Sequence, residues 1–417
     1  MLDVWPALPI IIWNSGDPTL LVEGADNIIA ALEHRDRVYH VTLWSIPIFL
    51  FEHFISVMQQ PFPLLSHLVL LPHENKAPVL PDSFLGSPGS TPHLRTLWLD
   101  SIQFPAIQKL HLSTRNLVYL YLLNMPHSGY ISPIEMVSCL SSFTKLELLL
   151  LGFRSPLSRP DREIRHLPSL SRTVFPALTS LVFRGASEYL EDFISRVHAP
   201  LLNEIKIRFF NQLIWHIPEF LQFIDRAKQL RSSNHAELIF NRHSSIIRLN
   251  QNMGTFDRVT LALEISCRPS DWQLSSLAQI CGSLLPSLPT LERLDILEDQ
   301  LWQPDPQDDL DDAQWLEVLQ PFTATTTLYL SRKVGKRVAL VLQELVREPV
   351  AEVLPVLQNI FLEGLQSSGD TQEAIGRFVT ARQLLGHPVV VHRWDRETQI
   401  REVDDGRWCS VGSMTST

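Results

Sequence analysis

The side chains here that could do chemistry are arginines, aspartates, histidines and cysteines, and their spacing limits what each can do. Arg154, Arg159, Arg162, Arg165 and Arg172 crowd one stretch that also holds Pro156 and Pro160. Guanidinium forks match carboxylate and phosphate oxygens. The stretch reads as a basic rim loop, either simply solvated or a contact for an acidic or phosphorylated peptide. Asp305, Asp308, Asp309, Asp311 and Asp312 form an acidic run. A calcium loop would need ligand alternation, a mid-loop glycine and a closing glutamate, and all three are missing. A solvated loop whose last aspartates meet a helix amino terminus is expected instead. None of the fifteen histidines is paired at helical metal-ligand spacing beside a carboxylate. His53 sits in an apolar stretch, and zinc needs three or four convergent ligands. Cys139, Cys267, Cys281 and Cys409 are scattered, without a Cys-x-x-Cys pair, as suits free thiols in a reducing compartment. The serine elbow, phosphate loop, dinucleotide turn and zinc-helix motifs are all absent. No catalytic residue, metal or cofactor is expected, and no enzyme.

Recognition is the chemistry that remains, and a repeated phrase decides where it would sit. Leu-x-x-Leu-x-Leu occurs at Leu65-Leu68-Leu70, Leu94-Leu97-Leu99, Leu117-Leu120-Leu122 and Leu146-Leu149-Leu151. Softer copies stand at Val38-Val41-Leu43, Leu178-Leu181-Phe183, Leu202-Ile205-Ile207, Leu291-Leu294-Ile296 and Leu357-Ile360-Leu362. The first seven begin at 38, 65, 94, 117, 146, 178 and 202, in steps of 27, 29, 23, 29, 32 and 24. That is the period of leucine-rich repeats with insertions. The fourth and sixth positions share one face of a strand and point inward, so their flanking residues point out. Those outward slots hold Trp44, Val69, Trp98, Tyr119, Tyr121, Leu148, Leu150, Val182 and Arg184, then Glu204, Lys206, Arg208, Arg293 and Asp295. Aromatic and aliphatic side chains fill the early slots and charges the later ones. Such a stripe is covered either by the chain itself or by a partner. Trp44, Val69, Trp98, Tyr119, Tyr121, Arg184, Lys206 and Arg208 are the expected partner-binding residues.

Helices are expected at 26–34, 47–59, 188–198, 218–229, 311–319, 337–347 and 372–385. Ser132, Pro133 and Glu135 have the form of an N-cap, a first-turn proline and a capping-box acid opening a helix to Phe143. Ser270, Asp271, Trp272 and Gln273 repeat that logic before a helix towards Leu285. Later strands are expected at 237–240, 258–264, 326–330 and 389–391. The fold expected is an α/β leucine-rich-repeat solenoid, curved, with parallel strands on the concave face and helices on the convex face. It would run over residues 1–394, looser after about residue 210, with a polar, disordered tail at 395–417. Ile46, Ile102 and Met125 occupy the slot where many such repeats place an asparagine, so no asparagine ladder is expected.

Hydrophobic residues make up 45% and charged residues 19%, enough apolar material for a buried core. A formal net charge of −10 argues against nucleic-acid or anionic-membrane binding, which needs a basic face. Met1-Leu2-Asp3 lacks the basic start of a secretory signal. The apolar run from Trp5 to Trp13 is too short to span a bilayer. A cytoplasmic or nuclear protein is expected.

Several stretches carry a more specific likeness: Leu2-Asp3-Val4-Trp5-Pro6-Ala7-Leu8-Pro9-Ile10, Ala77-Pro78-Val79-Leu80-Pro81-Asp82-Ser83-Phe84-Leu85-Gly86, His127-Ser128-Gly129-Tyr130-Ile131-Ser132-Pro133 and Phe153-Arg154-Ser155-Pro156. Glu188-Tyr189-Leu190-Glu191-Asp192, Ser270-Asp271-Trp272-Gln273-Leu274 and Arg393-Trp394-Asp395-Arg396-Glu397 continue it over nearly the whole chain. On these residues the chain resembles the leucine-rich region of mushroom-type fungal F-box proteins. The resemblance implies a solenoid that presents a protein substrate to a cullin-type ubiquitin ligase. No F-box motif is found within the chain, so the ligase adaptor would be a partner only where an F-box precedes it. The alternative is a free-standing leucine-rich scaffold without a ligase dock.

Overall fold

A computed structural model describes residues 8–73, 77–85, 87–154, 172–210, 217–227, 230, 233–252, 257–267, 270–283, 285, 288–299, 302, 312–344, 353–364 and 369–395. The chain is mixed α/β, with fifteen strands in mostly parallel sheet order that does not close into a barrel. It forms two compact units: Met1–Phe210 with His216–Gln229, and Asn211–Trp215 with Leu230–Thr417.

In the first unit the elements run β1 (Ile10–Trp13), α1 (Pro18–Glu23), α2 (Ala25–Glu33), β2 (Val38–Ile46), α3 (Ile48–Val57), β3 (His67–Pro72) and β4 (Thr96–Asp100). They continue α4 (Leu110–Ser113), β5 (Tyr119–Met125), α5 (Pro133–Leu140), β6 (Leu148–Phe153), β7 (Thr173–Val174), β8 (Ser180–Gly185), α6 (Ser187–Ile194), β9 (Val197–His198), β10 (Glu204–Phe209) and α7 (Pro218–Arg226). β1, β2, β3, β4, β5, β6, β8 and β10 lie side by side in that order, every pair parallel. The phrase sets this arrangement. Its inward residues, from Val41 and Leu43 through Leu97 and Leu99 to Ile205 and Ile207, are 3% exposed or less. Each buried leucine of this kind contributes about 1.5–3 kcal/mol.

Three strands end in the same way. Ser45, Ser101 and Asn124, each two residues beyond the last apolar residue of the phrase, have φ of +54°, +56° and +47°. The register slips between Leu43 and Ile46 and between Leu122 and Met125. This left-handed step turns Ile46, Ile102 and Met125 inward, where they are buried. Apolar packing thus fills the slot that an asparagine ladder would use.

Local signals explain α5. Ser132 Oγ accepts from Glu135 N at 3.3 Å while Ser132 N donates to Glu135 Oε2 at 3.1 Å, a complete capping box. The helix stops at Leu140, short of Phe143, which is buried through a turn instead. The helix expected at 188–198 stops at Ile194. Its last residues, Val197 and His198, form β9 and pair with β7. Between β3 and β4 the described residues hold no helix. That proline-rich link buries Leu80 and Phe84 and pairs with the segment just beyond β4 through an isolated Val79–Gln103 bridge.

The second unit contains β11 (His235–Asn241), β12 (Ser244–Asn252), β13 (Asp257–Ser266), α8 (Ser270–Ser283), β14 (Arg293–Glu298) and α9 (Asp312–Leu319). β15 (Thr327–Leu330), α10 (Arg332–Glu344), β16 (Asn359–Glu363), α11 (Asp370–Leu384) and β17 (Val390–Trp394) follow. Its strand order is β13, β12, β11, β14, β15, β16, β17. β11, β12 and β13 pair antiparallel, so strand–helix alternation breaks there; the remaining pairs are parallel. β12 was not expected from the sequence. α10 begins five residues before the expected 337 because its start is capped from elsewhere. Glu298 on β14 accepts from Lys333 N at 3.0 Å and Val334 N at 3.2 Å. Arg159, Arg162, Arg165, Asp305, Asp308, Asp309, Asp311, Cys409 and the tail beyond Asp395 lie outside the described residues.

Candidate functional site

Strand register assembles the outward slots of the first unit into one row: Trp13, Thr42, Val69, Trp98, Tyr121, Leu150, Val182 and Lys206. Adjacent strands lie about 4.8 Å apart, so Trp98 and Lys206, four strands apart, are separated by about 19 Å. A parallel row runs Tyr119, Leu148, Ser180 and Glu204. A third joins Gly152, Arg184 and Arg208.

The expected contact residues divide on this grid. Trp98, Tyr119, Tyr121, Arg184, Lys206 and Arg208 stand on the outward face, each partly exposed. Val69 is 7% exposed and Thr42 6%, so these two form a floor. Trp44 is not the register equivalent of Val69 and Trp98; Thr42 is. Trp44 lies two residues further along β2, where the register slips beside left-handed Ser45, yet its ring packs edge-on against Trp98 at 5.3 Å. Asn14 holds the Trp44 backbone from both sides, accepting from Trp44 N at 2.7 Å and donating to Trp44 O at 2.8 Å. Trp98 in turn stacks on Tyr121, centroids 5.0 Å apart. The indole Nε1 of Trp98 is buried without a hydrogen-bond partner among the described residues. Leaving such a donor unmet costs about 1–3 kcal/mol.

The residue missed is Trp13. It is 66% exposed, on the edge strand, in the row with Thr42. No alternation in the sequence marked it, because Ile10, Ile11, Ile12 and Trp13 are all apolar; the pairing of β1 with β2 is what leaves Ile12 buried and Ile11 and Trp13 open.

A polar relay crosses the charged end. Arg184 Nη1 donates to Asn124 Oδ1 at 3.2 Å, and Asn124 Nδ2 donates to Asp100 Oδ1 at 2.8 Å. Arg184 is on β8 and Asn124 on β5, so the guanidinium reaches past β6 where its register neighbour is Gly152. A Cβ at Gly152 would lie 3.7 Å from Arg184 Cβ, and any longer side chain would stand in that path. Lys206 pairs with Glu204 at 2.5 Å, and Tyr119 OH donates to Glu147 at 3.4 Å. Arg154 is exposed. At the far end His40 and His67 are register neighbours with stacked rings 5.1 Å apart; burial pushes both imidazoles below their usual range.

Behind the face, Glu191 on α6 accepts from Glu219 N and Phe220 N at 2.9 Å each, closing the first turn of α7. Burial raises its carboxyl to about 7 against the opposing pull of those two N–H groups.

In the second unit the corresponding row is Arg248, Glu237, Asp295, Tyr329, Phe361 and His392. Asp295 is 4% exposed, forked by Arg293 at 2.8 and 2.7 Å, with His235 Nε2 at 3.2 Å. Burial pushes its carboxyl up, but His235 and Arg293 outweigh that and hold it below the ordinary carboxylate range. The ligand atoms of His235, Glu237 and Asp295 lie within 4.8 Å of one another, a set that could hold a metal ion. Arg293 takes both oxygens of Asp295, however, and Arg248 faces Glu237 at 3.5 Å. The two cations already balance the two carboxylates, so the cluster is a closed ion-pair network. Arg293 lies over Tyr329 at 4.2 Å, and Tyr329, Phe361 and His392 stack in sequence at 4.4 and 4.6 Å.

Among the described residues no helix is long and apolar enough to cross a membrane. No protein-family model matches the chain, and no curated protein matches it.

Proposed function

We propose that the outward sheet face of the first unit recognises another protein and does no chemistry on it. The observation that carries this reading is the register-aligned row of Trp98 and Tyr121, with Trp44 packed on it and Trp13 open at its edge. Tryptophan, tyrosine and arginine dominate binding energy where they sit together on a surface. The row passes from rings through Leu150 and Val182 to Lys206, with Arg184 and Arg208 beside it. That gradient suits a partner with an apolar anchor and an acidic flank.

The finer form of the proposal is a curved leucine-rich-repeat solenoid whose concave face is this sheet face. It would serve as the substrate-recruiting region of an F-box-like protein in ubiquitin ligation, in the cytoplasm or nucleus. Its support is the leucine phrase and the stretches from Leu2 to Glu397 that resemble that family. Two measurements test it. A photo-crosslinking residue at position 121 should capture one dominant protein, and the same residue at Glu188, on the helical side, should not. The ligase adaptor should co-purify with the native protein. Equal capture from both positions would end the recognition reading. Absence of the adaptor would leave recognition standing and end the ligase reading.

A further inference from the structure

The second unit carries a feature that recognition by the first does not use. Beside the carboxyl ends of β15 and β16, between α10 and α11, lies a recess of about 520 Å3. That volume is in the range of small-molecule sites. Arg332, Lys336 and Arg337 stand around it, and none of their side chains has a partner among the described residues. Arg332 and Lys336 are one helical turn apart and share a face. Leu340 and Leu362 supply apolar wall.

Glycine at 364 fixes one of the cations. Its φ is +63°, and a Cβ there would lie 2.6 Å from Arg332 Nε, so the arginine lies directly on bare backbone. The backbone donors of α10 are already used. Arg332 N donates to Glu363, and Lys333 N and Val334 N donate to Glu298. An incoming anion would therefore meet side chains only. Among the described residues, three cations and only one carboxylate, Glu363, line the recess, leaving an excess of positive charge in a chain whose formal net charge is −10. A bound dianion would balance that excess.

We infer that this recess binds a phosphate monoester with an apolar body. The phosphoryl group sits between Arg332 and Lys336 with Arg337 nearby, and the body lies on Leu340 and Leu362. Phosphate rather than carboxylate is assigned because, with Glu363 offsetting one of the three cations, two negative charges match what remains better than one does.

Calorimetric titration of the full chain with phenyl phosphate, at fixed ionic strength, tests the inference. Inorganic phosphate and benzoate are titrated alongside. Phenyl phosphate should saturate a single site more tightly than either, and K336Q should weaken it about tenfold, the equivalent of one charge-assisted hydrogen bond. R332Q should do the same, and G364A should weaken binding by displacing Arg332. Lys336 is exposed, so K336Q should leave the melting temperature unchanged and decides the matter if R332Q disturbs α10. No saturable heat, or K336Q binding like the native chain, would overturn the site. Benzoate binding as tightly as phenyl phosphate would overturn the phosphoryl assignment.

Discussion

Trp98 and Tyr121 are register neighbours on adjacent parallel strands, and their rings stack at 5.0 Å. Trp98 also meets Trp44 edge-on. Aromatic pairs of this kind contribute about 0.5–1.5 kcal/mol beyond their burial. W98A should therefore cost the fold about 1 kcal/mol. As a binding anchor it should cost about 2 kcal/mol or more, roughly thirtyfold in Kd. Thermal melting and crosslink yield at position 121, measured on the same variant, separate the two effects. A collapse in melting temperature with unchanged capture would make Trp98 a packing residue.

The relay from Arg184 through Asn124 to Asp100 should behave as one unit. Asn124 has φ +47°, where glycine is at ease, so N124G removes the side chain without adding strain. Despite that relief, N124G should destabilise by about 1–2 kcal/mol, because it leaves Arg184 and Asp100 without their shared partner. R184M should cost a similar amount. The double variant should cost less than the sum, with a coupling of about 1 kcal/mol in chemical denaturation. Strict additivity would show that the two side chains do not support each other.

Why some of this could be read from the sequence and some could not follows from how each residue is positioned. Leu97, Trp98 and Leu99 announce their faces locally, since alternation along a strand assigns in and out without further information. Trp44 flanks the sixth position of its phrase, two residues beyond Thr42, and the register slip beside left-handed Ser45, of which a serine gives no warning, leaves it out of the pairing with β3. β12 escaped because Ile246 and Ile247 are adjacent among serine, arginine and asparagine, which blurs the alternation. His235 and Asp295 meet only because β11 lies beside β14. No local spacing encodes that pairing. α10 lacked a start signal for the same reason, its caps coming from Glu298 and Glu363 on other strands.

Glu191 gives the molecule a pH dependence of definite sign. Its folded-state carboxyl is raised to about 7 from an ordinary 4.5, so the folded chain holds this proton more tightly than the unfolded one. The resulting stability is fully present below the unfolded value, falls as pH rises through 7, and is gone above. E191Q removes that term. The melting-temperature gap between native and E191Q protein should be larger in favour of the native chain at pH 5 than at pH 8. A gap that widens towards pH 8 would mean the carboxylate form, with its two N–H donors from α7, is the one the fold prefers.

Asp295 shows the opposite economy, a buried charge kept ionised by its partners. Its carboxyl is held below the ordinary range, so its contribution is present at neutral pH and is lost as pH falls through the folded value. R293M would strip away the fork and leave the buried carboxylate with His235 alone. Breaking a buried pair from one side costs about 3–5 kcal/mol. R293M/D295L, which removes both charges, should recover most of that loss. R293M has a second consequence: it releases Asp295 from the arginine fork, and one ligand atom each from Asp295, His235 and Glu237 lie within 4.8 Å of one another. Zinc should then raise the melting temperature of R293M while leaving the native protein unmoved, because in the native chain Arg293 already occupies that position. If zinc shifts the native protein instead, the arginine is displaceable and the network is a metal site in waiting.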